Sequence, residues 1–199
     1  AGGPTHVVKD TIVRLDPAMV SFTKRFHRIG DVAVFFARTP ETGYELWRTD
    51  GTEAGTRLVR DIRPGPGNAF ETYETFEFTE AGGCLFFVAN DAVHGYELWK
   101  TDGTDQGTAL VKDIWPGPNA SLRRYTSSSF GDPYALSLLH VRAGNVLFFL
   151  ADDGVHGLEL WRTDGSEAGT VLVKDIVPGT MGTFGSLYGY QQLNGAAVG

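Results

Sequence analysis

Two short segments of the chain place a carboxylate and an imidazole three residues apart. They read NDAVHG at 90–95 and DDGVHG at 152–157, which pairs Asp91 with His94 and Asp153 with His156. A carboxylate held beside an imidazole could bind a metal ion or the hydroxyl groups of a polyol. The alternative is structural, because an Asp in a turn often accepts backbone N–H bonds while a nearby His stays partly exposed. The structural alternative is favoured, and all four side chains are kept as candidate ligand-binding residues.

A second candidate site is the segment at 116–137, PGPNASLRRYTSSSFGDPYALS. The repeat that contains it is ten residues longer here than its neighbour. Irregular loops on a regular scaffold often hold functional residues. Aromatic rings could stack on a sugar or a peptide while Arg and Ser bond its polar groups. The alternative is a disordered surface insertion, which the serine run and Gly131 favour. The candidate residues in this segment are Arg123, Arg124, Tyr125 and Tyr134.

Three glutamates, Glu45, Glu97 and Glu159, recur at equivalent positions of the repeat. Paired carboxylates catalyse glycoside hydrolysis, but a catalytic pair needs two different environments to separate its pKa values. A residue that recurs in every repeat occupies similar environments. We therefore predict structural ion pairs, with Lys100 and Lys112 or their Arg equivalents as partners, and assign no catalytic residue.

Each repeat contains two long blocks in the same order, preceded by a short apolar block at 32–37, 84–89 and 146–151. The first reads GYELWRTDGT at 43–52, GYELWKTDGT at 95–104 and GLELWRTDGS at 157–166. The second reads GTRLVRDIRPG at 55–65, GTALVKDIWPG at 107–117 and GTVLVKDIVPG at 169–179, with a partial copy, GPTHVVKDT, at 3–11. The final Asp of successive second blocks recurs after 51, 52 and 62 residues, a period typical of propeller blades.

Short apolar runs bounded by Gly, Asp-Gly or Pro-Gly predict strands and turns. In the second repeat the strands are expected near 72–79, 84–90, 95–101 and 108–114. The Asp-Gly pairs that begin at Asp50, Asp102 and Asp164 are interpreted as structural, because Gly accepts the positive φ of a tight hairpin. Trp47, Trp99 and Trp161 are predicted to pack between neighbouring sheets.

The predicted fold is all-β, a small β-propeller of about four blades in one domain spanning 1–199. Three blades are complete, and the fourth is closed by pairing the N- and C-terminal strands, which would hide two sheet edges. A larger ring assembled from two chains and a fragment of a longer array are the alternatives. The blade units are approximately 18–62, 70–114 and 134–176, with 1–11 and 185–199 sharing the last blade.

Composition excludes several classes of function. The chain has 199 residues, of which 42% are hydrophobic, and a net charge of -7, which argues against nucleic acid as a partner. No apolar run approaches 18 residues, so no membrane insertion is expected. The start, AGGPTHVVKD, lacks the features of a signal peptide, so we expect any such peptide to have been removed. No cofactor is expected, with calcium at Asp91 and Asp153 as an alternative.

The ELW-x-x-DGT segments and the following GT-x-LVKDI-x-PG blocks resemble the bacterial ELWxxDGT-repeat family. The copy at 148–179 is the most similar to the family's motif, and the resemblance covers about three units. The first unit departs from the other two, because it has RTPETG at 38–43 where they have NDAVHG and DDGVHG. Members of that family are usually large secreted or surface-attached proteins, often without an assigned activity. The resemblance therefore implies a location outside the cytoplasm and supplies no catalytic residues.

Together these features predict a secreted or cell-surface module that is not an enzyme and that binds or adheres. Its partner would be an extracellular carbohydrate or protein held by loops on one propeller face, where several weak sites give avidity. One alternative is a propeller enzyme, a lyase or hydrolase acting on an extracellular polymer or small metabolite. Another is a structural repeat stabilised by calcium. Self-association through unpaired terminal strands is a further expectation.

Overall fold

The computed structural model describes residues 26–70, 78–122, 140–180 and 182. Every strand in these ranges belongs to one of three antiparallel four-stranded sheets, here named sheets 1, 2 and 3 in chain order. Sheet 1 contains β1 (Phe26–Ile29), β2 (Val32–Thr39), β3 (Gly43–Thr49) and β4 (Arg57–Arg60). Sheet 2 contains β5 (Thr79–Ala81), β6 (Cys84–Asn90), β7 (Tyr96–Thr101) and β8 (Ala109–Leu110). Sheet 3 contains β9 (His140–Ala143), β10 (Val146–Asp152), β11 (Leu158–Thr163) and β12 (Val171–Lys174).

The three sheets have one topology and one register. Strand order follows chain order in each sheet. The second and third strands pair a Phe with the repeat's Trp every time, as Phe35 with Trp47, Phe87 with Trp99 and Phe149 with Trp161. The predicted all-β class and the four-stranded repeat are therefore confirmed.

Strand limits in sheet 2 agree with the prediction for its two middle strands. The fourth strand is shorter than the predicted 108–114, because only Ala109–Leu110 is a strand. The Val111 N–H still donates to the Leu98 carbonyl at 2.9 Å, but farther along the chain the Trp115 N–H donates to the Glu97 side chain. The first strand, predicted at 72–79, is seen from Thr79, and residues 71–77 lie outside the described ranges.

Apolar side chains on both faces stack the sheets on one another. Trp99 of sheet 2 is buried in a cluster with Leu46 and Val59 of sheet 1. Trp161 of sheet 3 is buried in a second cluster with Leu98 and other residues of sheet 2. These two tryptophans pack between neighbouring sheets, as predicted. Two-sided burial is what sheets stacked in series require.

Trp47 lies in a different environment. It is buried with Phe35 and Ala37 on the face of sheet 1 that points away from sheet 2. The three residues form their own cluster, with Leu58 packed against it. The first sheet therefore has a covered outer face as well as the interface with sheet 2.

The loop between the third and fourth strands is larger than the tight hairpin that the Asp-Gly pair predicts. It runs from the end of β7 at Thr101 to Ala109, and a 2.7 Å hydrogen bond between the Thr101 and Thr108 hydroxyls closes it. The Asp102 Oδ1 atom accepts hydrogen bonds from the backbone N–H and the hydroxyl of Thr104. Asp50 and Asp164 make the equivalent bonds, so the structural interpretation of these aspartates holds.

Each sheet lies within one predicted blade unit, while the terminal segments at 1–11 and 185–199 lie outside the described residues. A fourth blade shared by the two chain ends thus stays a prediction. The ranges that the structure describes contain no helix long and apolar enough to cross a membrane.

Candidate functional site

The loop between β6 and β7 is built around the carboxylate of Asp91. Its Oδ1 atom accepts hydrogen bonds from the backbone N–H groups of Val93, at 2.9 Å, and His94, at 2.8 Å. Its Oδ2 atom lies 2.7 Å from the His94 Nδ1 atom. A short acceptor that fixes the next two peptide groups is the usual role of Asp in a turn. The imidazole is held by the same carboxylate.

Sheet 3 repeats this arrangement between β10 and β11. The Asp153 Oδ1 atom accepts from the backbone of Val155 and His156, at 2.9 and 2.8 Å, and its Oδ2 atom lies 2.7 Å from His156 Nδ1. Residues 90–95 and 152–157 are hereafter called the Asp–His loops. The two loops therefore share one hydrogen-bonded geometry.

The loop of sheet 1 is built differently. It is one residue shorter and lacks both the Asp and the His. The Thr39 hydroxyl accepts the Thr42 N–H at 3.2 Å and lies 3.0 Å from the Thr42 hydroxyl. Only sheets 2 and 3 therefore present an imidazole at this position.

Electrostatics favour the ionic form of each Asp–His pair. Burial raises the pKa of the Asp91 carboxyl, but the hydrogen bonds from His94 and Val93 outweigh burial, so its pKa lies below the ordinary value. The hydrogen bond to Asp91 raises the pKa of His94, and the nearby charges of Asp113 and Glu97 raise it further. The same causes lower the pKa of Asp153 and raise that of His156.

The imidazole, not the carboxylate, is the group that a ligand can reach. The Asp91 and Asp153 side chains are 14% and 15% exposed, whereas those of His94 and His156 are 34% and 37% exposed. Both carboxylate oxygens of each Asp already accept bonds within the loop. Since Nδ1 of each imidazole is bound to its Asp, Nε2 is the atom left to meet a ligand.

Trp115 connects sheet 2 to the second Asp–His loop and was not among the site residues predicted from the sequence. It belongs to the segment that crosses from sheet 2 to sheet 3, and its backbone N–H donates to the Glu97 Oε1 atom at 3.3 Å. Its indole lies against Gly154, where an added Cβ would come within 2.6 Å of Cε2 and Nε1. The signal that could have found it is the variable position of the DI-x-PG block, which holds Arg63, Trp115 and Val177.

The glutamates of the repeat do not form the predicted ion pairs. Each is fully buried, and each accepts hydrogen bonds from the backbone of its own crossing segment. Glu45 accepts the N–H groups of Ile62 and Arg63 at 3.0 and 2.9 Å. Burial raises the pKa of Glu45 and of Glu97 to about 7. These glutamates therefore anchor the segments that connect one sheet to the next.

The predicted lysine partners serve another purpose. The Lys100 ammonium donates to the Gly165 carbonyl at 2.7 Å, and that of Lys112 donates to the Thr170 carbonyl at 3.0 Å. Both acceptors belong to the next sheet. The ion-pair prediction is wrong because the glutamates are buried beneath the crossing segment, while the lysine head groups reach outward to the neighbouring loop.

Most of the segment at 116–137 lies outside the described residues, which include only 116–122 of it. Arg123, Arg124, Tyr125 and Tyr134 lie outside the described residues, which resume at His140 after Leu122. Within the described ranges, no group of three or more His, Cys, Asp or Glu side chains is arranged to hold a metal ion.

Comparison with known proteins adds little to this geometry. No family model matches the chain, and no curated protein matches it. Among solved structures, the computationally designed Ika8 protein is similar, with a TM-score of 0.34 and 12% sequence identity. The match covers 79% of this chain and 37% of the designed chain, so this chain spans well under half the length of that protein.

Proposed function

We propose that this protein is a non-catalytic binding module, secreted or displayed at a bacterial cell surface, that recognises an extracellular carbohydrate or protein. The observation behind the proposal is the pair of equivalent Asp–His loops with Trp115 lying between sheet 2 and the second loop. Resemblance of the repeats to the ELWxxDGT-repeat family supports the location.

The chemistry of the surface suits a polar ligand with apolar faces. Each loop offers an imidazole nitrogen beside a Val side chain, with Val93 60% exposed and Val155 63% exposed. Sugars present hydroxyl groups together with C–H faces, and aromatic rings bind such faces well. Two similar weak sites on one rigid scaffold raise the overall affinity when a polymer engages both.

Catalysis is not needed to explain the acidic residues. Asp91 and Asp153 hold their loops, and the recurring glutamates anchor crossing segments. Side chains that hold the backbone of their own repeat in this way occupy similar environments, and a catalytic pair needs two unlike environments. The proposal depends on the stacked sheets that the structure describes. A fourth blade shared between the chain ends and a larger ring assembled from two chains are alternative ways to cover the end of the stack, and the binding proposal holds with either.

A glycan array and a pull-down from envelope extracts test the proposal. The wild-type chain should retain at least one glycan or envelope protein. The double variant His94→Ala with His156→Ala should retain it at least tenfold more weakly, because each site loses its accessible nitrogen. Glu41→Gln, in the exposed loop of sheet 1, is the matched control and should bind as the wild type does. Silence on the array and in the pull-down, together with turnover of a substrate, would refute the proposal.

A further inference from the structure

The face of sheet 3 that points away from sheet 2, here called the outward face, is open where the equivalent faces are closed. Val59 of sheet 1 and Val111 of sheet 2 are 5% and 4% exposed because the following sheet covers them. Their equivalent in sheet 3, Val173, is 45% exposed. Ile176 is 50% exposed, whereas Ile62 and Ile114 are buried. Sheet 3 therefore leaves open the positions that the following sheet covers in sheets 1 and 2.

Two cations on the same side of sheet 3 also lack the contacts that their equivalents make. Arg48 of sheet 1 and Lys100 of sheet 2 each donate to a glycine carbonyl in the Asp-Gly loop of the next sheet, at 3.0 and 2.7 Å. Arg162 is their equivalent in sheet 3. It is exposed, and it makes no such bond with the described part of the chain. The hydrogen bonds from Ser166 lower the pKa of Asp164 in the same sheet, and the charge of Arg162 lowers it further.

The fourth strand shows the same pattern. Arg60 of sheet 1 lies 3.5 Å from the Asp105 carboxylate of sheet 2, and Lys112 of sheet 2 donates to the Thr170 carbonyl of sheet 3. The equivalent in sheet 3, Lys174, is exposed and makes no such contact with the described part of the chain. A sheet that carries an Asp-Gly loop would satisfy both cations.

The other end of the stack offers such a loop. Gly103 and Gly165 lie against the preceding sheet, where an added Cβ would meet Ile29 at 3.0 Å and Phe86 at 3.2 Å. At Gly51, the equivalent in sheet 1, no atom lies within 4 Å of an added Cβ, and the residue is exposed. Glu53, which takes the position of Asp105, is exposed beside it.

We infer that the outward face of sheet 3 binds sheet 1 of a second copy of this chain, with Arg162 donating to the Gly51 carbonyl and Lys174 pairing with Glu53. The contact continues the sheet-to-sheet packing already present twice in the molecule. The contact joins two different surfaces, sheet 3 of one copy and sheet 1 of another. Two copies that make this contact at both ends form a closed ring of six of these sheets, and copies that do not close a ring form a filament.

A second copy fits this face better than the chain's own terminal segments do. The segments at 3–11 and 185–199 contain no Asp-Gly pair, so they cannot supply the loop that Arg162 and Lys174 require. Phe35, Ala37 and Trp47 on sheet 1 are buried within one chain. The equivalents of these residues in sheets 2 and 3 pack against the preceding sheet, so this cluster is the surface that the outward face of sheet 3 would meet.

Sedimentation velocity on the full 199-residue chain across a range of concentrations tests the inference without any ligand. Wild-type protein should associate reversibly. Lys174→Glu and Arg162→Glu should each raise the dissociation constant about tenfold. Lys174→Glu places a second negative charge beside Glu53, and Arg162→Glu removes the donor to the Gly51 carbonyl. Arg38→Glu, the same charge change at an exposed site on β2, should leave association unchanged.

Charge exchange makes the test specific for the proposed pair. Glu53→Lys alone should weaken association, and Glu53→Lys combined with Lys174→Glu should restore most of it. Circular dichroism establishes that each variant is folded. A wild-type chain that stays monomeric at all concentrations would overturn the inference and favour closure by the chain ends. Association that is insensitive to both charge reversals would overturn it equally. Neither result would change the outcome expected on the glycan array, so the failure of this inference can be distinguished from the failure of the proposed function.

Discussion

The indole of Trp115 lies on the backbone of Gly154, in the space that a methyl group would need at that position. The equivalent residue in the other Asp–His loop is Ala92, whose φ of 70° is close to the 80° of Gly154. An alanine is thus tolerated in this backbone conformation where the preceding crossing segment carries Arg63 in place of Trp115. Residue 154 is therefore a glycine because the Trp115 indole occupies the space of a Cβ atom.

Gly154→Ala should destabilise the protein by about 2 kcal/mol, because backbone strain is combined with overlap with the indole. Gly117→Ala is the matched control, since Gly117 has a φ of +88° and no atom within 4 Å of an added Cβ. Strain alone should cost about 1 kcal/mol there. Urea unfolding measures both values. In a Trp115→Arg background the cost of Gly154→Ala should fall toward the control, and an unchanged cost would show that the contact does not matter.

Glu97 should make stability depend on pH. Burial raises its pKa from 4.5 to about 7, so between these values the folded protein holds a proton that the unfolded chain has released. The free energy of unfolding should therefore fall as pH rises through this window, by about 1.4 kcal/mol for each pKa unit of difference. Glu45 acts in the same direction.

Glu97→Gln isolates this contribution. The difference in unfolding free energy between pH 5 and pH 8 should shrink by about 2 kcal/mol, because the glutamine does not titrate. Glu41→Gln, at an exposed position, is the control and should leave the slope as it is. Chemical unfolding at several pH values measures the slopes. Equal slopes for the wild type and Glu97→Gln would show that this carboxyl does not control the pH dependence.

Asp91 should set the titration of His94. Asp91→Asn keeps an oxygen for the backbone N–H groups of the loop but removes the charge beside the imidazole. The pKa of His94 should then fall toward its ordinary value. His156 keeps its own partner, Asp153, and serves as the internal control. An NMR titration of both imidazoles gives the answer, and identical His94 curves before and after substitution would contradict the assigned hydrogen bond.

The raised His94 pKa also has a consequence for stability. The folded state keeps its proton to higher pH than the unfolded chain does. The Asp91–His94 pair therefore contributes its full stabilisation at pH values below the pKa of an ordinary His. This contribution is lost as the pH rises through the higher pKa of His94 in the folded protein. Asp91→Asn should weaken this part of the pH dependence along with the shift in His94.

Chelation should not change the melting temperature. Both oxygens of the Asp91 and Asp153 carboxylates already accept hydrogen bonds inside their loops, so the loops are held without a cation. Thermal melting with EDTA and then with added calcium measures the effect. A lower melting temperature in EDTA that calcium restores would favour the calcium-stabilised alternative, because a ligand of the folded state stabilises it.

Local features and the packing of Trp99 and Trp161 between sheets were predictable from the sequence, whereas the contacts made by the crossing segments were not. The limits of β6 agree with the prediction because a continuous apolar run bounded by turn residues determines a strand locally. The Asp102 loop is likewise set by bonds between near neighbours in the chain. The partners of Glu97 and the contact between Trp115 and Gly154 depend on how the crossing segment folds back over two sheets. Neither spacing nor composition specifies that path.

The central claim is that ligand binds at the Asp–His loops. Amide chemical-shift mapping, with a glycan that the protein binds on the array, tests this claim most directly. The largest shifts should fall on residues 91–95, 115 and 153–157. The double variant His94→Ala with His156→Ala should need at least tenfold more of the same ligand to show them. Shifts confined to the opposite end of the sheets, at the Asp-Gly loops of residues 102–108 and 164–170, would contradict the account.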